Sequence, residues 1–141
     1  MRYAPRPGMR RWLLLTAAAL ILCGLAAGCS SSKPAYCTAA SQLKTSVQNL
    51  KNVDVAKNGL GSLQTALSSV KTDVTTLASE AQSAFGPQIT TLQNSLSSLD
   101  TAINSAKGEP SLTAAGTIAS SFTQVKSSAS DLVNAAEGKC Q

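Results

Sequence analysis

The sequence predicts an all-α fold, an up-down-up-down four-helix bundle closed by a disulfide between its two ends. Three observations predict it. Apolar residues recur at alternating steps of three and four in four separate runs, the beat of a helix with one buried seam. Alternation at period two extends nowhere over a useful length, so strands are not expected. The breaks between the runs are short, which makes sequential helices antiparallel neighbours.

The first run is Tyr36, Ala40, Leu43, Val47 and Leu50. Asn52 to Gly61 interrupts it, and both Asp54 and Asn58 have the side chain of an N-cap. The second run is Leu60, Leu63, Leu67, Val70, Val74, Leu77, Ala81 and Ala84. Gly86-Pro87 should end it, because glycine suits the left-handed position after a helix and proline suits the first turn of the next. Ile89, Leu92, Leu96, Leu99, Ile103 and Ala106 form the third run, stopped by Lys107-Gly108-Glu109-Pro110 with Ser111 as the next N-cap. The fourth is Ile118, Phe122, Val125, Ala129, Leu132 and Ala136, ended by Gly138. The seams are mostly Leu, Val and Ala over outer faces of Ser, Thr, Gln and Asn, so these helices depend on packing rather than on propensity. A coiled coil with another chain would also explain the seams, but the short connections favour a bundle within one chain.

Before these helices comes a segment of another kind. Arg2, Arg6, Arg10 and Arg11 precede an uncharged apolar run from Trp12 to Ala27, closed by small residues. Basic n-region, apolar h-region and small-residue cleavage site together make residues 1-28 a secretory signal peptide. An uncleaved anchor is the rival, since the uncharged stretch through Ser32 just approaches the roughly 20 residues a spanning helix needs. Either Met1 or Met9 can start a complete leader. Arg10-Arg11 is compatible with twin-arginine export as well as with the general secretory route.

The end of the leader, Leu25-Ala26-Ala27-Gly28-Cys29, resembles the lipobox of bacterial lipoproteins. Ala26 stands where Leu, Val or Ile is commonest in that family, and Cys23 is a poor rival because the bulky Leu22 precedes it. The resemblance implies cleavage between Gly28 and Cys29 and a diacylglyceryl group on the Cys29 thiol. A domain tethered by residues 29-35 would then be held to the outer face of the cell membrane. Two acyl chains give stable attachment where one gives only marginal binding.

Of the four cysteines, Cys23 then leaves with the leader and Cys29 is lipidated. Cys37 and Cys140 remain, and outside the membrane two such thiols normally pair. The pairing tests the topology of residues 36-141. An even number of antiparallel helices returns the chain to its starting end, and a bridge needs Cα atoms within about 7 Å. Three helices would hold the two thiols a helix length apart. Closing a loop of this size contributes up to ~4.7 kcal/mol in the chain-entropy model.

Charge and residue inventory narrow the function. Twelve Lys and Arg stand against seven Asp and Glu, but four of the twelve are leader arginines, which leaves a net charge of +1. A nucleic-acid partner is therefore not expected, since its footprint is a basic patch in the folded domain. The chain has no histidine, so no Ser-His-Asp triad or Cys-His pair can form. The acids are scattered singly. Asp73 and Glu80 could share a face, but a metal site in a bundle needs several inward carboxylates. Gly59-Leu60-Gly61 lacks the rest of a phosphate loop. No enzyme activity, cofactor or metal is expected.

The segments Leu50-Lys51-Asn52-Val53-Asp54-Val55, Gly59, Leu63-Gln64-Thr65-Ala66-Leu67 and Phe85-Gly86-Pro87-Gln88, with cysteines near both ends, resemble a group of small secreted or lipidated helical proteins of actinobacteria. That resemblance implies place and fold but no activity. The leading expectation is a non-catalytic envelope module that contacts a protein or the cell wall. The alternative is a small-ligand or lipid carrier with an apolar cavity of at least ~300 Å³ between its helices. Inhibition of a wall hydrolase or protease is a third reading, though no exposed reactive loop is evident.

Overall fold

The structure is a computed structural model that describes residues 33–141. The expected leader of residues 1-28, with its cleavage site at Gly28 and Cys29, lies outside the described residues. Among the described residues there are three helical elements and no strand: α1 (Ala35–Lys51), α2 (Val55–Gly108) and α3 (Leu112–Glu137). None is long and apolar enough to cross a membrane. The all-helical class agrees with the sequence, whereas the elements number three rather than four.

The boundaries follow from local chemistry. Pro34 precedes α1 without a side-chain cap, and the chain leaves that helix at Asn52, whose N–H donates to the carbonyls of Gln48 and Asn49. Asp54, rather than Asn58, caps α2: its Oδ1 accepts from the Lys57 N–H at 3.1 Å. Gly59 then turns the chain with φ +72°, a backbone conformation that glycine adopts without steric cost. At α3 the expected cap is present, with Ser111 Oγ accepting from the Ala114 N–H at 3.0 Å.

α2 holds the main departure from expectation. A straight helix of its 54 residues would be about 81 Å long. Yet Lys71 Nζ lies 2.6 Å from Asp100 Oδ2, and Lys107 Nζ donates to Gln64 Oε1. Residues 29 positions apart on a straight helix would be separated by about 43 Å. The element therefore folds back on itself, through non-helical backbone at Ala81 (φ −140°, ψ 17°) and Phe85 (φ −133°, ψ 19°).

Two sequence expectations change at this bend, and one holds. Gly86 does not take a left-handed conformation; among the described residues only Gly59 has positive φ. Pro87 follows the non-helical Phe85 by two residues and so stands in the first turn of the second arm, the place that suits a proline. Ala84, expected in the seam, is exposed, and Phe85 is buried in its place. The non-helical residues rotate the chain out of its 3.6-residue phase, so the periodic extrapolation is off by one position there.

Elsewhere the seams form one continuous core. Leu43, Leu67, Leu77, Ile89, Leu92, Leu99 and Leu132 are fully buried in it. Tyr36, in the first turn of α1, packs edge-on against Phe85 with ring centroids 5.5 Å apart. The bend of α2 thus sits at the end of the molecule where α1 begins. Where the second arm of α2 meets α3, the small Ser95 and Ser121 are buried. Ser95 Oγ donates to the Thr91 carbonyl at 3.0 Å, so Ser128 donates to Ser95 at 3.1 Å.

The polar faces are turned inward chemically. Hydroxyls such as Thr45, Thr65, Ser68, Thr72 and Thr101 donate to the carbonyl four residues back in their own helix. Such bonds add no contact between helices and slightly weaken the helix that carries them. Cohesion therefore rests on the core and on the bridge between the chain ends.

Candidate functional site

The two ends of the domain differ in construction. At the end where α1 begins, Cys37 and Cys140 form a disulfide with Cα atoms 5.9 Å apart, across 103 residues of sequence. The expected pair is the observed pair. Lys44 and Glu137, at 2.8 Å, form an ion pair across α1 and α3 nearby. A hollow of about 440 Å³ lies beside the disulfide, and its walls include Lys33, Thr38, Ser41 and Glu137.

The opposite end carries the more distinctive feature, an open apolar groove of about 350 Å³. It arises from unequal helix lengths. α1 has 17 residues and α3 has 26, a difference of about 13 Å along the axis. Lys51, the last residue of α1, lies across from Lys126, so the N-terminal turns of α3 run on past the end of α1. The seam residues of those turns, Ile118 and Phe122, are consequently only half-buried.

The groove is completed from the start of α2. The Asp54 cap and the Gly59 turn bring Val53, Val55 and Leu60 to one wall, while Leu50, Leu63, Ala115 and Ala119 fill the rest. Val55 is 36% exposed at the rim. In the first turn of α3, Leu112 is 94% exposed. Lys51 is the single charged side chain of the groove.

Lys51 also lines a second recess. This trough of about 200 Å³ runs between α1 and α3 and includes Lys44, Lys126, Gln48, Ser130 and Asn134. Among the described residues the ion pairs are Lys44–Glu137, Lys57–Asp54 and Lys71–Asp100. Lys51 and Lys126 belong to none of them. An apolar groove and a basic trough therefore adjoin, with one lysine common to both.

Of the residues the sequence singled out, the structure unites Cys37 and Cys140 and scatters the acids. Asp73 is half-buried, Glu80 is exposed and Asp100 is paired with Lys71. Among the described residues, no three His, Cys, Asp or Glu side chains gather as metal ligands would. The seam residues are buried in one core, and a space of the expected ~300 Å³ order lies at the open end. Sequence reading missed Lys51, Val53 and Val55 as wall residues. One signal was available: the fourth apolar run is longer than the first, so its outer turns lack a partner in α1.

Comparison with protein-family models, with curated proteins and with solved structures finds no match.

Proposed function

We propose that this chain is a non-catalytic lipoprotein of the cell envelope, anchored through Cys29, whose helical domain serves as an interaction or scaffolding module. The observation that carries the reading is the leader ending in Leu25-Ala26-Ala27-Gly28-Cys29. The disulfide supports it, because such bonds persist in oxidising compartments outside the cytoplasm. In this reading the two arms of α2 count as separate rods, and the domain is an up-down-up-down four-helix bundle. With a lipid on Cys29 only a few residues precede α1, so the disulfide end is the end nearer the bilayer. The open end then faces outward, toward an envelope protein or the cell wall.

Intact mass of the membrane-extracted protein tests the anchor. The expected species begins at Cys29, carries a diacylglyceryl group and is lighter by two hydrogens for the disulfide. A Cys29→Ser chain should leave the membrane fraction. Retention of that variant in the membrane would remove the anchor, and a pull-down from intact envelope that retrieves nothing above background would remove the interaction role.

One observation favours a second reading. The groove reaches the lower end of the ~300–1,000 Å³ range of small-ligand sites, and its walls are apolar apart from Lys51. Binding of a small apolar or amphiphilic ligand at the open end is the carrier function in this form.

A further inference from the structure

We infer that the groove and the adjoining trough together form a site for a single-chain lipid with a phosphate headgroup. The inference rests on the second reading above, that the groove takes a small ligand. It adds the chemical class of that ligand.

Two features with different chemistry meet at one residue. The groove offers apolar walls from Leu50, Val53, Leu60, Ile118 and Phe122, which suit an acyl chain. The trough offers Lys51 and Lys126 outside any ion pair among the described residues, with Gln48, Ser130 and Asn134 as neutral hydrogen-bonding groups. Lys51 lines both, so a ligand with its chain in the groove would place its head between the two lysines. Lysine binds phosphate as a compact point charge, and a phosphate has oxygens enough for both ammonium groups and a neutral donor.

Size favours a lipid over a protein segment. The groove of about 350 Å³ and the trough of about 200 Å³ are of ligand and headgroup scale. A stable protein interface instead buries roughly 800 Å² on each partner, and a docked helix needs anchors across more than two turns. Charge sign follows from the lysines. Carboxylates are absent from both linings, and the nearby Glu137 is paired with Lys44.

The test uses the full chain held in a non-ionic amphipol, titrated calorimetrically below the critical micelle concentration of each probe. Dodecyl phosphate and dodecyl maltoside share a chain and differ in head charge. Dodecyl phosphate should bind about tenfold or more tighter, the scale of one or two charge-assisted hydrogen bonds. The double variant Lys51→Glu, Lys126→Glu should erase that preference, and Val55→Asp at the exposed rim should weaken both probes. All three positions are exposed, so circular dichroism should be unchanged.

Equal affinity for the two probes would overturn the headgroup assignment and leave the groove as an apolar site. Binding of neither would overturn both the carrier reading and this one. Retention of the phosphate preference in the double variant would place the head elsewhere and overturn the proposal. An acidic amphipathic helical peptide that displaces dodecyl phosphate at lower concentration than the lipid itself would reassign the groove to a protein partner.

Discussion

The chain has two phenylalanines, and they stand at opposite ends of the same core. Phe85 is 1% exposed, wedged at the bend of α2 against Tyr36 and beneath the end that the disulfide closes. Phe122 is half-buried on the wall of the open groove. The same side chain thus seals one end and lines an opening at the other. Helix length makes the difference: at the closed end every helix has a neighbour, whereas the outer turns of α3 have outrun α1. A small domain with a modest core can leave apolar surface open at one end because a covalent bridge holds the other.

The contrast can be broken most forcefully at the closed end. Phe85→Ala should cost about 3–5 kcal/mol of unfolding free energy, the range for a buried phenylalanine that leaves a cavity. Urea denaturation followed by circular dichroism would measure it. Removing the bridge with Cys37→Ser and Cys140→Ser should cost roughly 2–5 kcal/mol, and reducing agent should lower the melting temperature of the parent protein while leaving that variant unchanged. Should reduction leave the parent unchanged too, the bridge contributes nothing and the closed end is held by packing alone.

At the open end the same experiment should read smaller. Phe122→Ala should cost about 1–2 kcal/mol, because only part of the ring leaves water on folding. A cost equal to that of Phe85→Ala would mean that the groove is closed in solution. Hydrogen exchange would sharpen the comparison, with amides of residues 55–60 and 112–118 exchanging faster than those flanking Phe85. Least of all should be the effect of Lys44→Ala. Its ion pair with Glu137 is half-exposed and screened, and it should contribute no more than about 1 kcal/mol.

How much of this was legible in the sequence depends on whether the backbone stays in phase. Along α1, along the arms of α2 and through the later turns of α3, the three-and-four spacing picks out side chains that are buried, from Leu43 to Leu132. The Cys37–Cys140 pairing was legible as well, since it follows from counting thiols. Ala84 was misread because the backbone leaves helical geometry at residues 81 and 85, which no apolar pattern encodes. Gly86-Pro87 carries the signals of a helix boundary, and the non-helical backbone lies just before it, at residues 81 and 85. The groove was missed for another reason. A seam residue reads the same in sequence whether or not the opposing helix is long enough to cover it, and Ile118 and Phe122 are not covered.

The hairpin of α2 has a consequence for how such a chain can change in length. Two polar contacts across the arms, Lys71 with Asp100 and Gln64 with Lys107, share one midpoint, between residues 85 and 86. Adding a single residue to either arm would turn everything beyond it by about 100° and carry the apolar stripe away from its mate. Insertions or deletions in the arms are therefore tolerable only as matched sets that restore whole turns on both sides. Unmatched ones belong at the loops around residues 52–54 and 109–111, where the register of the hairpin is not at stake.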